Sequence, residues 1–328
     1  MTFLLRVKSG AAAVLALAAT AAFAQDMPFR EDGWAKLPDG RKWGATSAID
    51  VDRDGNIWVF ERCGGDGCSG SNVPPIVKLE PSGKYVKSFG AGMFVQPHGI
   101  HVDRDNNVWV TDAQGKDGKG HVVVKFNQDG KVLMTLGKAG VPGDGSDTFN
   151  QPSDVLTAPN GDIFVADGHG GDSNARIVKF SKDGRFIKTW GRKGSGPGEF
   201  DTPHGLAMDS QGRLFVADRT NNRIQIFDQD GKFLEEWKQF GRPSGIYIDR
   251  NDTLYIADHA STPKNNPGFK RGVRIGSAKD GLVKSFVPGL GADPDGLIVG
   301  EGVAADHQGN VYWAETSNGQ TVRKFVRR

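Results

Sequence analysis

Apolar residues in this chain fall into short alternating runs, each broken by Gly, Asp or Asn turns, and the same text recurs six times. Residues 201–240 show one unit in full. Pro203-His204-Gly205-Leu206-Ala207-Met208 reads as a first strand, Leu214-Phe215-Val216-Ala217-Asp218 as a second, Arg223-Ile224-Gln225-Ile226-Phe227 as a third and Phe233 to Trp237 as a fourth. Gln211-Gly212 and Asp230-Gly231 supply hairpin turns, where glycine tolerates positive φ. Four short antiparallel strands in a repeated unit are one blade of a β-propeller.

The register of the repeat is set by an aromatic residue followed three positions later by a carboxylate. The pairs are Trp58/Glu61, Trp109/Asp112, Phe164/Asp167, Phe215/Asp218, Tyr255/Asp258 and Tyr312/Glu315. A period of roughly 50 residues marks a repeat architecture, so the expected fold is all-β: a six-bladed propeller. The sixth unit shows three strands before Arg328, while residues 37–44 look like a fourth strand placed ahead of unit one. Unpaired edges at both termini would be a liability. This N-terminal segment is therefore expected to complete the last blade and close the ring.

Insertions between strands two and three occur at 61–75, 112–121, 167–175 and 258–272, which places them on one face of the disc. A residue present in every unit serves the fold; a residue that breaks its column is a candidate for chemistry. The column after the strand-one proline holds Ser47, His98, Ser153, His204, Ser244 and Glu301. Odd blades carry serine, and even blades carry ligand-type side chains related by about a third of a turn. Two imidazoles and a carboxylate converging on the axis form a donor set for a divalent metal, zinc first among them. The competing reading is that each histidine caps its own turn.

Arg62 also breaks the pattern. Arg176, Arg223, Arg274 and Arg323 each open a third strand and are expected to pair with the strand-two carboxylates, whereas Arg62 follows Glu61 directly. There it could clamp a substrate carboxylate or make an ordinary surface ion pair. His169, in the third insertion, is a candidate general acid or base, with a solvated loop histidine as its alternative. His259 is a weaker candidate, and His307 reads as solvated.

Residues 1–24 read as a secretory signal peptide. Arg6 and Lys8 precede an apolar run that ends in Ala22-Phe23-Ala24. The mature chain, 25–328, is expected to be exported to the periplasm or outside the cell, with no membrane span. Without Arg6 and Lys8 its basic residues equal its 39 acidic ones, which argues against nucleic acid and anionic membrane as partners. A monomer is expected, with a small-molecule or peptide-like substrate at the channel mouth. Cys63 and Cys68 are the two cysteines of the chain. In an oxidising compartment they are expected to form a disulfide; the rival reading, a two-thiol metal pair, is an incomplete site.

These residues resemble the NHL-repeat propellers, and most closely the peptidyl-α-hydroxyglycine α-amidating lyases. The resemblance rests on Pro97-His98-Gly99, Pro203-His204-Gly205 and Phe60-x-Arg62. It implies a zinc site on alternate blades, matched at His98 and His204 with Glu301 in the third position. It also implies a catalytic arginine matched by Arg62, and a catalytic loop tyrosine for which His169 is the nearest match. The family's structural calcium is held partly by an aspartate beside the third histidine; Gly302 stands there, so calcium is not carried over. The implied activity is that of an exported metal-dependent lyase cleaving a carbon–nitrogen bond. Two other readings stand beside it: a non-catalytic propeller that binds a protein or glycan, and a metal-dependent lactonase or related hydrolase.

Overall fold

The computed structural model describes residues 29–32, 34–38, 40–290, 299–316 and 321–328. The segment read as a signal peptide lies outside them. The described residues form 24 strands in six four-stranded antiparallel sheets. In each blade the first strand is innermost: Thr46–Val51, Pro97–Val102, Pro152–Thr157, Pro203–Met208, Gly245–Ile248 and Gly302–Ala305. These six strands pack side by side around the axis.

Close approach of the inner strands depends on small residues. A Cβ on Gly99 would stand 2.6 Å from the Ser153 carbonyl, and one on Gly205 would stand 2.8 Å from that of Ser244. Second and third strands are buried almost throughout and pack blade against blade; Trp58, Trp109, Phe164, Phe215, Tyr255 and Tyr312 all lie in this core. In five blades a turn aspartate ties the start of strand two. Asp52 and Asp103, for example, accept the indole N–H of Trp58 and Trp109, each at 3.0 Å.

The strand-two carboxylates staple the blades. Asp167, Asp218, Asp258 and Glu315 pair with Arg176, Arg223, Arg274 and Arg323 as expected. Blade one has no arginine at that place. Arg41 fills the role from outside the repeat, with Nη2 3.0 Å from Glu61 Oε1.

That contact accounts for a difference from the sequence expectation. The outer strand of the last blade is Phe29–Asp32, paired antiparallel with Val322–Arg327. The described residues of 37–44 do not pair with the Tyr312 blade. They cross blade one, where Lys36 bridges to Lys84 and Arg41 reaches Glu61 and the Ser88 hydroxyl. Their hydrophobic-and-turn text serves packing over this blade: Trp34, Leu37 and Trp43 join the core cluster between blades one and six.

Candidate metal centre

Four of the six column residues are aimed inward by a local irregularity. In blades one to four the strand-one ladder breaks around the column, between Thr46 and Ala48, Pro97 and Ile100, Pro152 and Asp154, and Pro203 and Gly205. A bulge turns a side chain out of the pleat, and here it turns the column residue toward the axis. The prolines suit these starts because they lack the N–H that the broken ladder would leave unpaired. Gln151 and Thr202, just before two of them, have φ of 66° and 69°, a strained left-handed conformation.

The expected donors meet. One ligand atom from each of His98, His204, Glu301 and also His169 lies within 4.8 Å of all the others. His98 and His204 have ring centroids 4.8 Å apart, and His169 stands 4.4 Å from the first and 5.1 Å from the second. The Nε2 atoms of His98, His169 and His204 are buried and form no hydrogen bond. His204 Nε2 is 3.0 Å from Glu301 Oε1 without the alignment of a hydrogen bond. Two donors that share one metal at ~2.1 Å stand roughly 3–3.5 Å apart in the same way.

The odd-blade serines are the support. Ser153 O and Ser244 O take the Nδ1 protons of His98 (2.6 Å) and His204 (3.1 Å), which fixes the tautomer that leaves Nε2 with a lone pair. Ser47 Oγ and Ser153 Oγ donate to the carbonyls of Pro97 and Pro203, the residues that precede the two histidines. Ser244 Oγ instead meets His259 Nδ1 at 2.7 Å. The alternation of serine with histidine or glutamate is thus one ring of donors and their holders.

Electrostatics agree with this arrangement. Burial pushes His98 down to about 3, helped by repulsion from His204. Burial and the Arg219 charge bring His204 to about 3, and burial with repulsion from His98 brings His169 to about 2. All three are neutral near pH 7, the form in which an imidazole binds metal. Burial works against the Glu301 carboxylate, but its contact with His204 and the surrounding imidazoles hold it well below the usual range. The donor set therefore fits a divalent cation. It does not fit a calcium aspartate at position 302: a Cβ there would stand 2.7 Å from Ser47 O.

The second-strand ends pair with the first-strand starts, as in Pro97–Asp112 and Pro203–Asp218, so the loops after strand two open on the donor face. Arg62 is there and buried. Its Nε donates to Pro97 O at 3.2 Å, its Nη1 meets Asp66 Oδ1 at 2.7 Å, and with its amide turned carbonyl-inward Gln96 accepts from both nitrogens. Cys63 and Cys68 are joined as a disulfide that closes this loop, and such a bond fits an oxidising compartment.

Arg219 was not singled out by the sequence reading. Its Nη1 is 3.4 Å from Glu301 Oε1. The signal was present: the position after the strand-two carboxylate reads Arg62, Ala113, Gly168, Arg219, His259 and Thr316. Arginine occurs twice in that column, on blades one and four, which face each other across the ring. His307 remains away from the centre, beside the groove on the opposite face.

Comparison with known proteins agrees with this architecture. The NHL repeat family matches residues 200–227. Over 92% of the chain, peptidyl-glycine α-amidating monooxygenase B of Xenopus laevis is 32% identical, and the chain spans 36% of that protein's length. Peptidyl-α-hydroxyglycine α-amidating lyase 1 of Drosophila melanogaster is 35% identical over 56% of the chain and 38% of its own length. Among solved structures, a streptogramin B lyase superposes with a TM-score of 0.56 over 92% of this chain and 98% of its own, at 13% identity, a likeness of fold alone. No helix among the described residues is long and apolar enough to cross a membrane. The chain is an NHL-repeat six-bladed β-propeller, similar to the peptidyl-α-hydroxyglycine α-amidating lyases.

Proposed function

We propose that the protein is an exported, metal-dependent lyase that cleaves the carbon–nitrogen bond of a carbinolamide-type substrate at the insertion face. The observation that carries this reading is the set of buried ring nitrogens without a hydrogen bond beside Glu301 on the axis. A structural cap would satisfy those nitrogens within the protein. Relatives named as amidating lyase or amidating monooxygenase supply the reaction class.

His98, His204 and Glu301 would hold the divalent metal, most simply zinc. Bound there, it would supply Lewis-acid polarisation of a substrate oxygen. Arg62, fixed by Pro97 O and Asp66, would hold a substrate carboxylate or carbonyl oxygen at the same mouth. Arg219, beside Glu301, would offer a second cationic contact and favour an anionic substrate. In the net reaction the hydroxyl proton passes to the amide nitrogen, the C–N bond breaks, and an amide and an aldehyde leave. The loop residues around the mouth, rather than the blades, would set what is accepted.

The test is to measure divalent metal in the purified protein and to follow aldehyde release from an N-acyl-α-hydroxyglycine. Stoichiometric metal with metal-dependent release of glyoxylate is expected. A protein that contains no divalent metal, and binds none when it is added, would sink the lyase reading and leave a binding module in its place.

A further inference from the structure

We propose that His169 is a fourth protein ligand of the metal centre, so that the site is built from three imidazoles and one carboxylate. This rests on the metal-site reading above and changes the role of His169 from an acid–base group to a donor. The sequence places His169 in a loop, where a solvated side chain would be ordinary. In the structure its Nε2 is buried and has no hydrogen-bond partner, and a ring nitrogen of His169 belongs to the group of ligand atoms that lie within 4.8 Å of one another. Among the described residues nothing accepts from or donates to this nitrogen. The ring stands 4.4 Å from that of His98 and 5.1 Å from that of His204, close enough for one cation to take a nitrogen from all three.

The loop is shaped to deliver this one ring. Gly168 has φ 147°, and a Cβ there would lie 1.8 Å from the Asn174 carbonyl, so the turn requires glycine. Gly168 N donates to Gln151 O, and His169 N donates to Ser173 Oγ at 2.8 Å. Asn174 Nδ2 ties the far side of the loop to Asp167 Oδ2 at 2.7 Å. The strand-two carboxylate thereby anchors both the blade and the loop that carries the ring.

The chemical consequence is a change in coordination. Three neutral nitrogens and one carboxylate already fill a tetrahedral zinc shell, which would close the site. Keeping a position open for substrate then requires five or six ligands, a geometry that iron and manganese accept readily.

The test is pulsed electron paramagnetic resonance of the Cu(II)-loaded protein, which counts coordinated imidazoles through their remote nitrogens. Wild type should show three, and His169→Gln should show two while still binding one equivalent, with a metal Kd raised at least roughly 10–100-fold. Gly168→Ala should also lose the third imidazole although every donor residue is present. If it fails to fold, His169→Gln decides alone. Two imidazoles in a stoichiometrically loaded wild type, unchanged in His169→Gln, would overturn the proposal and leave the metal site standing. A wild type that binds no metal would overturn both.

Discussion

One channel has two ends, and they differ in what their polar atoms lack. The donor end is tight: the channel segment that His98, His204 and Glu301 line is about 50 Å³, and the Nε2 atoms of His98, His169 and His204 form no hydrogen bond. The opposite mouth is a roomier cavity of about 260 Å³, lined by Asp50, His101, Asp154 and Tyr247 among apolar residues. There the carboxylates and the imidazole are tied to the fold. Asp50 accepts from Val51 N and Val102 N, Asp154 accepts from Val155 N and Leu206 N, and His101 meets Thr157 Oγ1. The larger cavity is thus the structurally finished one. A cluster of unsatisfied donor atoms, not volume, singles out the candidate ligand site.

The comparison breaks first at His204. His204→Ala should raise the metal Kd by roughly 100-fold or more and lower turnover by roughly 10³-fold or more, while circular dichroism keeps its propeller signal. An unchanged metal Kd would show that His204 is not a ligand and that the donor end is as self-sufficient as the other mouth. Arg62→Ala should come next, with a loss on the order of 10²-fold in turnover, ~2.7 kcal/mol, and little change in Tm. A collapse of Tm with turnover per folded molecule preserved would make Arg62 a loop brace.

Acid should separate the two ends in the metal-free protein. His98 and His204 stay neutral in the folded state until about pH 3, whereas an unfolded histidine takes a proton near 6.5. Between those values the unfolded chain binds more protons, so stability falls as pH falls from 6.5 toward 3 and is unaffected by these groups above that window. Tm of the metal-free protein, followed from pH 7 to 4, should drop, and His204→Gln should flatten the slope. An equal slope in that variant would mean the ring is not held neutral.

Much of this was legible in the sequence because repetition made each residue its own control. The aromatic–carboxylate pairs set the blade count, and the column of Ser47, His98, Ser153, His204, Ser244 and Glu301 picked out the candidate donors that the structure brings together. What failed had no repeat to lean on. Residues 37–44 carry strand-and-turn text, yet they serve to bring Arg41 to Glu61; the four residues Phe29–Asp32 that pair with the last blade are too short to show alternation. His169 was visible, but its role depends on a turn that Gly168 shapes, and only coordinates show where the ring points. Arg219 was readable in a column that was not compared across blades.

The smallest effect is expected at the larger cavity. Burial raises Asp154 to about 7 from an unfolded value near 3.8. A raised folded pKa favours the native state while the group is protonated, and that contribution is lost as pH rises from about 4 through 7. Asp154→Asn keeps one acceptor and turns its amide toward a backbone N–H, which costs about 1 kcal/mol at pH 5. Because Asn has no proton to lose, the variant should gain on wild type as pH rises, so the Tm difference narrows between pH 5 and 8. Metal content and turnover should not change. If Asp154→Asn instead loses metal or activity, the two ends of the channel are coupled, and the mouth judged finished from its hydrogen bonds takes part in the chemistry.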